Sequence, residues 1–519
     1  MCGGVATGIN RGSKEVMTRP VMTLLLLVAS TTLAVLVQAA DPPVVVTEEG
    51  SVSGLREHST KGVPFYAYRS IPFAKPPTGK LRFKPPLASG PWEGVRDGSA
   101  DPAPCLQVYY LAFSHRVKNV TGSEDCLHLN VFTPAEPGSR GQDLPVMVFI
   151  HGGAFFCGSA SDYSPYALLN HEVVLVVLQY RLGILGFLST EDSVIPGNFG
   201  LLDQTIALRW VQRNIGHFGG DPKKVTVFGE SAGSASIHYH MLSPMTEGLF
   251  SRAIMQSGTA LSPWAYGGAF KEVAEYVGWS MGCPTHLGSH ILLLCLQKVD
   301  PGALVGMIVD FAVFMTSPVL LAPRVDGEYL PAEPTVLMKE GRQRKVPIIS
   351  GTTAHEGAVI TIDIFANQSV KLAFLENFSV FGVTSLEFGM GDGDPLDLAT
   401  RAFHYYLGGI NGLRKENANL ISQMYSDRFF NVDQEMVTRL HTQASATTYT
   451  YELVHRGEHS LWCLAGDFDD RDKWVCHADD LLYLFSGGPS LQYFPLTREE
   501  DLHLRDVMTK LWVNFAATG

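Results

Sequence analysis

The chain has 519 residues, 46% of them apolar, and a formal net charge of −12 at pH 7. That length and apolar content suffice for a large buried core and exclude a disordered chain. The acidic balance argues against a nucleic-acid partner and against an anionic membrane surface.

The first forty residues read as a secretory signal. Arg11, Lys14 and Arg19 precede an apolar run that starts at Val21, and small residues close it at Ala39 and Ala40. Cleavage near Ala39 or Ala40 leaves residues 41–519 as a single domain. An uncleaved anchor ranks second, because Ser30, Thr31 and Thr32 interrupt the run, and no other segment is long and apolar enough to span a bilayer. Secretion makes disulfides possible, and eight cysteines are present. No Cys-x-x-Cys pair stands among them, and neither a metal nor a cofactor is expected. Asn-x-Ser/Thr sequons at Asn119, Asn367 and Asn377 are candidate glycosylation sites.

Leu144–Ile150 is an apolar, β-branched run that opens into His151-Gly-Gly-Ala-Phe-Phe156. Acyl transfer builds negative charge on a carbonyl oxygen, so it needs backbone N–H donors that small residues leave open. Gly153 and Ala154 fit that need. Strand-like Val173–Leu178 and helix-like Leu201–Ile215 follow. About eighty residues beyond the glycine loop, Val225-Thr-Val-Phe-Gly229-Glu-Ser231-Ala-Gly233 is a short strand that stops at a Gly-x-Ser-x-Gly turn. Such a turn holds the serine hydroxyl clear of the backbone, and a side chain at either glycine would crowd it. Ser231 is the candidate nucleophile, and the N–H of Ala232 is the third candidate oxyanion donor.

Ala253–Met255 reads as a further strand, as does Lys345–Ile349, which runs into Ser350-Gly-Thr-Thr-Ala-His355-Glu356-Gly357. A carboxylate just past a strand end and beside a glycine sits on the catalytic edge of such a sheet, so Glu356 is the candidate acid. The base must come later, at His404, His441, His455, His459, His477 or His503. Of these, His477 lies in a short loop followed at once by an apolar helix-like run. On those grounds alone, a structural role for His477 is as plausible as a catalytic one. Thr448–Leu453 reads as another strand. Leu502, Leu504, Val507, Met508, Leu511, Trp512 and Phe515 fall at helical spacing, so Arg498–Ala516 should be a helix docked on the sheet. Strands alternating with helices predict an α/β fold, with a mostly parallel sheet and helices on both faces.

Two long stretches resemble the type-B carboxylesterases and cholinesterases of the α/β-hydrolase fold. They are Phe218-Gly-Gly-Asp-Pro-Lys-Lys-Val-Thr-Val-Phe-Gly-Glu-Ser231-Ala-Gly-Ser and Glu124-Asp-Cys126-Leu-His-Leu-Asn130-Val. The likeness runs from about Pro43 to the chain end, and the stretches around Tyr180 and His151 look most like the secreted esterases of arthropods. The resemblance implies a triad of Ser231, Glu356 and His477, with oxyanion donors at Gly153, Ala154 and Ala232. It further implies disulfides Cys105–Cys126 and Cys283–Cys295, and ion pairs Arg82–Glu124 and Arg181–Asp203. The expected activity is hydrolysis of small-molecule carboxylic esters through an acyl-enzyme on Ser231, with no cofactor. Since the base must be neutral, activity should rise with pH through a histidine pKa near the ordinary value of about 6.5.

Family members that serve in adhesion without catalysis are the rival expectation; a missing triad residue or an added membrane helix would mark one, and neither is found. The first cysteine loop holds Tyr109 and Tyr110 but no tryptophan, which argues against choline esters. Glu230 stands where juvenile hormone esterases typically carry Gln, which argues against that specialisation. Cys157 and Cys476 are expected to be free packed thiols, with Cys463 left over. Relatives continue past the equivalent of Gly519, so the chain is expected to be truncated there.

Overall fold

Val146, Val148 and Ile150 face one apolar layer and Met147 and Phe149 the other, so this strand is buried on both sides. The same period-two division recurs at Val174 and Val176 against Leu175 and Val177, and at Val227 against Phe228. Near-continuous apolar runs therefore become the middle of a sheet covered on both faces. The computed structural model describes residues 41–108, 119–139, 141–315, 317–366, 368–389, 393–461, 474–485 and 494–519. The expected signal segment (residues 1–40), Tyr109, Tyr110, Asn367 and Cys463 lie outside the described residues.

Nine strands form the central sheet: β1 (Leu55–His58), β2 (Pro64–Pro72), β3 (His128–Thr133), β4 (Leu144–Ile150), β5 (Val174–Leu178), β6 (Gly220–Glu230), β7 (Arg252–Gln256), β8 (Ile348–Thr353) and β9 (Thr448–Leu453). Their spatial order is β9-β8-β7-β6-β4-β5-β3-β2-β1. The six strands from β9 to β5 run parallel, whereas β3, β2 and β1 pair antiparallel. The expected mostly parallel α/β architecture is present. Helices α1 (Phe199–Asn214) and α2 (Ala232–Leu242) pack on one face through residues such as Leu208, Val211 and Ile237. Helix α4 (Glu499–Thr518) covers the other through Met508, Trp512 and Phe515, close to the bounds expected from its periodicity. Helix α3 (Ala358–Ala366) follows the loop after β8.

Strand β8 differs from the sequence expectation. It spans Ile348–Thr353 rather than Lys345–Ile349, so the polar Ser350, Thr352 and Thr353 are strand residues. Parallel pairing with β7 and β9 satisfies the backbone groups of Ser350 and Thr352, which lets polar residues sit in the ladder that composition assigns to a loop. Strand β6 starts earlier than Val225, at Gly220, with a register shift against β4 between Gly220 and Val225. Pro42–Gly519 form one compact unit. Among the described residues, no single helix is long and apolar enough to cross a membrane.

Candidate active site

Strand β6 ends at Glu230 and α2 begins at Ala232, leaving Ser231 alone on the turn with φ +56° and ψ −122°. A non-glycine residue adopts this region only where its surroundings impose it. Here a Cβ on Gly229 would lie 2.5 Å from the Ile150 oxygen, and one on Gly233 only 2.0 Å from it. The strand therefore presses against the helix start, and both glycines are required by close approach. Ser231 N–H donates to the Gln256 carbonyl at 2.8 Å, which locks the turn to β7.

Glu356 follows β8 and is itself fully buried. Its Oε1 accepts from the Thr353 N–H at 2.7 Å and from Ser257 Oγ at 2.6 Å. Its Oε2 lies 2.6 Å from His477 Nδ1, which fixes the imidazole orientation. The loops carrying these two residues are tied by two hydrogen bonds. His355 N–H donates to the Val475 carbonyl at 2.9 Å, and Val475 N–H donates to His355 Nδ1 at 3.2 Å. Asp479 clamps the histidine loop, accepting from Cys476 N–H at 2.8 Å and from Leu461 N–H at 2.9 Å. The Phe430 ring packs on the imidazole with centroids 4.7 Å apart. Of the candidate bases, His477 is the one that meets Glu356. His441 is buried against the Val346 carbonyl, 2.9 Å away, and His455 pairs with Asp501 at 2.6 Å.

The other ring nitrogen, Nε2, lies 3.0 Å from Glu230 Oε1. Burial pulls the His477 pKa down, but the charges of Glu230 and Glu356 outweigh it and hold the imidazole well above the ordinary histidine value. This corrects the expectation of a pKa near 6.5, which took the ordinary histidine value. Glu230 was legible in the motif as the residue before Ser231, yet its reach to the base depends on β6 and the His477 loop meeting. Ser257 and Asp479 are further supports that no motif marked.

The glycine loop faces the same point. A Cβ on Gly152 would fall 2.7 Å from Glu230 Oε2 and 3.1 Å from Ser231 Cβ. Gly153 has φ +103°, and a Cβ there would meet the Cys157 oxygen at 2.2 Å. Ala154 is left-handed at φ +49°. Phe156 and Cys157 N–H groups both turn back to the Gly153 carbonyl at 3.0 Å. Among the described residues, the N–H groups of Gly153, Ala154 and Ala232 have no acceptor. His151 stacks on Tyr180 and is held neutral, with burial lowering its pKa to about 4.

Ser231, His477, Gly153 and Ala154 line one cavity of about 360 Å³, walled by Trp264, Phe314, Met315, Phe429 and Phe430. Cys157 is a free, half-buried thiol on its edge, and burial pushes its pKa up to about 12, so it stays protonated. Among the described residues, no group of three or more His, Cys, Asp or Glu side chains could hold a metal ion. Both expected disulfides are formed, Cys105–Cys126 and Cys283–Cys295. Both expected ion pairs are bidentate: Arg82 contacts Glu124 at 2.7 and 2.8 Å, and Arg181 contacts Asp203 twice at 2.7 Å.

A carboxylesterase family model matches residues 41–519. The chain is 35% identical over 489 residues to venom carboxylesterase-6 of Apis mellifera, covering 92% of this chain and 86% of that protein. It is 36% identical over 504 residues to juvenile hormone esterase of Tribolium castaneum, covering 92% and 84%. It is 36% identical over 510 residues to liver carboxylesterase 1 of Oryctolagus cuniculus, covering 92% and 86%. With Ser231 and His477 lining one apolar cavity and buried Glu356 in contact with that histidine, this chain belongs to the carboxylesterase family and is a serine hydrolase of carboxylic esters.

Proposed function

We propose that Ser231 is the nucleophile, His477 the general base and acid, Glu356 the orienting carboxylate, and the N–H groups of Gly153, Ala154 and Ala232 the oxyanion donors. The observation that carries this reading is the 2.6 Å contact of His477 Nδ1 with fully buried Glu356, on a cavity that Ser231 shares. His477 Nε2 takes the Ser231 proton as Oγ attacks the ester carbonyl carbon. The carbonyl oxygen becomes the oxyanion, met by the three N–H groups. The C–O bond to the alcohol then breaks, and His477 returns its proton to the leaving alkoxide. Water repeats the sequence on the acyl-enzyme and releases the acid.

Residues 1–40 act as a secretion signal, and residues 41–519 are the secreted hydrolase domain. Asn119, Asn367 and Asn377 are its glycan acceptors; Asn119 and Asn377 are exposed. Two disulfides fit an oxidising compartment. A fluorophosphonate probe tests the site: it should label wild-type protein once, at Ser231, and should not label Ser231→Ala. Labelling of a different serine would overturn the assignment. Recovery from culture medium with a mobility shift on deglycosylation would support secretion, and retention inside cells would count against it.

A further inference from the structure

Ester hydrolysis uses Ser231, His477 and Glu356, and Glu230 stands 3.0 Å from the histidine. One more carboxylate lines the same cavity and has no part in that chemistry. Glu387 follows the helix Phe378–Ser385 and sits in the wall formed by Phe314, Met315, Val319 and Phe429. Its backbone is left-handed at φ +48°, a conformation that a residue with a Cβ adopts at a cost. Ser317 Oγ donates to its Oε1 at 2.7 Å, which fixes the carboxyl against the wall. The charged group facing it from the neighbouring segment is Arg428. That guanidinium donates to the Leu386 carbonyl at 2.8 Å and to the Glu387 carbonyl at 3.1 Å, and lies 4.4 Å over the Phe388 ring. Among the described residues that line the cavity, none is Lys or Arg.

We propose that Glu387 is a cation-binding subsite of the substrate cavity, selecting esters that carry a protonated amine. Ser317, the Val319 N–H and the charge of Arg428 offset the cost of burying this carboxylate only in part, and an ammonium group entering the cavity would offset more of it. The aromatic walls would add attraction for the same cation. The net charge of −12 favours approach of cations over anions. Burial raises the Glu387 pKa to about 7, so the subsite gains its charge as pH rises through neutrality. An anionic ester meets two carboxylates and no Lys or Arg among the described residues that line the cavity. The subsite rests on the catalytic reading above, because it presumes that substrate sits against Ser231.

The test compares three esters with the same scissile bond and leaving alcohol, whose acyl chains end in an ammonium, a methyl or a carboxylate group. Wild-type kcat/KM should favour the ammonium ester over the methyl ester by about 10-fold or more. The carboxylate ester should be the poorest of the three. Glu387→Gln keeps the acceptor for Ser317 and removes the charge, so the ammonium-to-methyl ratio should collapse toward one. The ammonium-to-methyl ratio cancels His477 titration, and in wild type it should grow between pH 6 and pH 8. A wild-type ratio at or below one, or a ratio unchanged in Glu387→Gln, would overturn the subsite and leave the catalytic reading intact. Loss of methyl-ester hydrolysis in wild-type protein would instead count against the catalytic reading. Should Glu387→Gln fail to fold, inhibition of wild-type methyl-ester hydrolysis by butylammonium and by pentane decides the matter. Stronger inhibition by butylammonium supports the subsite, and equal or weaker inhibition overturns it.

Discussion

Glu230 Oε1 lies 3.0 Å from His477 Nε2, on the side of the imidazole opposite Glu356. The imidazole is therefore flanked by two buried carboxylates, each favouring its protonated form. In the proposed mechanism only the neutral imidazole accepts the Ser231 proton, so this arrangement moves the active form to higher pH. It also strengthens the imidazolium that forms when the serine attacks.

The first prediction follows from that pair. In wild-type protein the rising limb of kcat/KM against pH should lie above the ordinary histidine value of about 6.5. Glu230→Gln removes one of the two charges that raise the pKa, so the limb should move to lower pH. A full pH profile of both proteins measures this. An identical limb position in the two would show that Glu230 does not act on His477.

Ser231→Ala should lower kcat by roughly 10⁵–10⁶-fold, because the three residues act as a unit. The thermal midpoint should stay within a few degrees of wild type, since Ser231 contributes its backbone N–H to the Gln256 carbonyl and the substitution keeps that bond. Residual turnover within tenfold of wild type would move the nucleophile elsewhere.

Gly233→Ala should be severely destabilising. The added Cβ would stand 2.0 Å from the Ile150 oxygen, in backbone that cannot swing aside. A loss of about 3 kcal/mol or more is expected, read from denaturant midpoints at constant m. By contrast, Gly62→Ala meets no atom within 4 Å and should lose only the smaller amount due to its φ of +78°. Equal midpoints for the two variants would contradict the close-approach argument.

Arg181 and Asp203 form a buried pair, 3% and 0% exposed, so removing one partner strands the other. Burial pushes Asp203 upward and Arg181 opposes it, so loss of the arginine leaves a carboxyl strongly disfavoured as an anion. Arg181→Met should cost about 3–5 kcal/mol, and adding Asp203→Leu should recover much of that loss. A double variant no more stable than the single one would point to packing rather than charge as the source of the cost.

The order of the elements, the serine turn, the glycine loop and the C-terminal helix were legible in the sequence because each is a local pattern. A β-branched run ending at Gly229-Glu-Ser231-Ala-Gly233 specifies a strand-to-helix turn through steric limits within a few residues. The period of Leu504, Met508, Trp512 and Phe515 specifies a buried helix face in the same way. Tertiary structure decided what depends on separated segments meeting. Residues alone left six histidines open as the base; the bridge between His355 and Val475, with Asp479 as clamp, brings His477 to Glu356 and leaves His441 and His455 with other partners. Strand β8 takes in Ser350 and Thr352 because its neighbours satisfy their backbone groups, which composition cannot register. The same holds for Glu230 and Glu387. Each is one acidic side chain among 51 in the sequence, and only the fold sets one beside His477 and the other in the cavity wall.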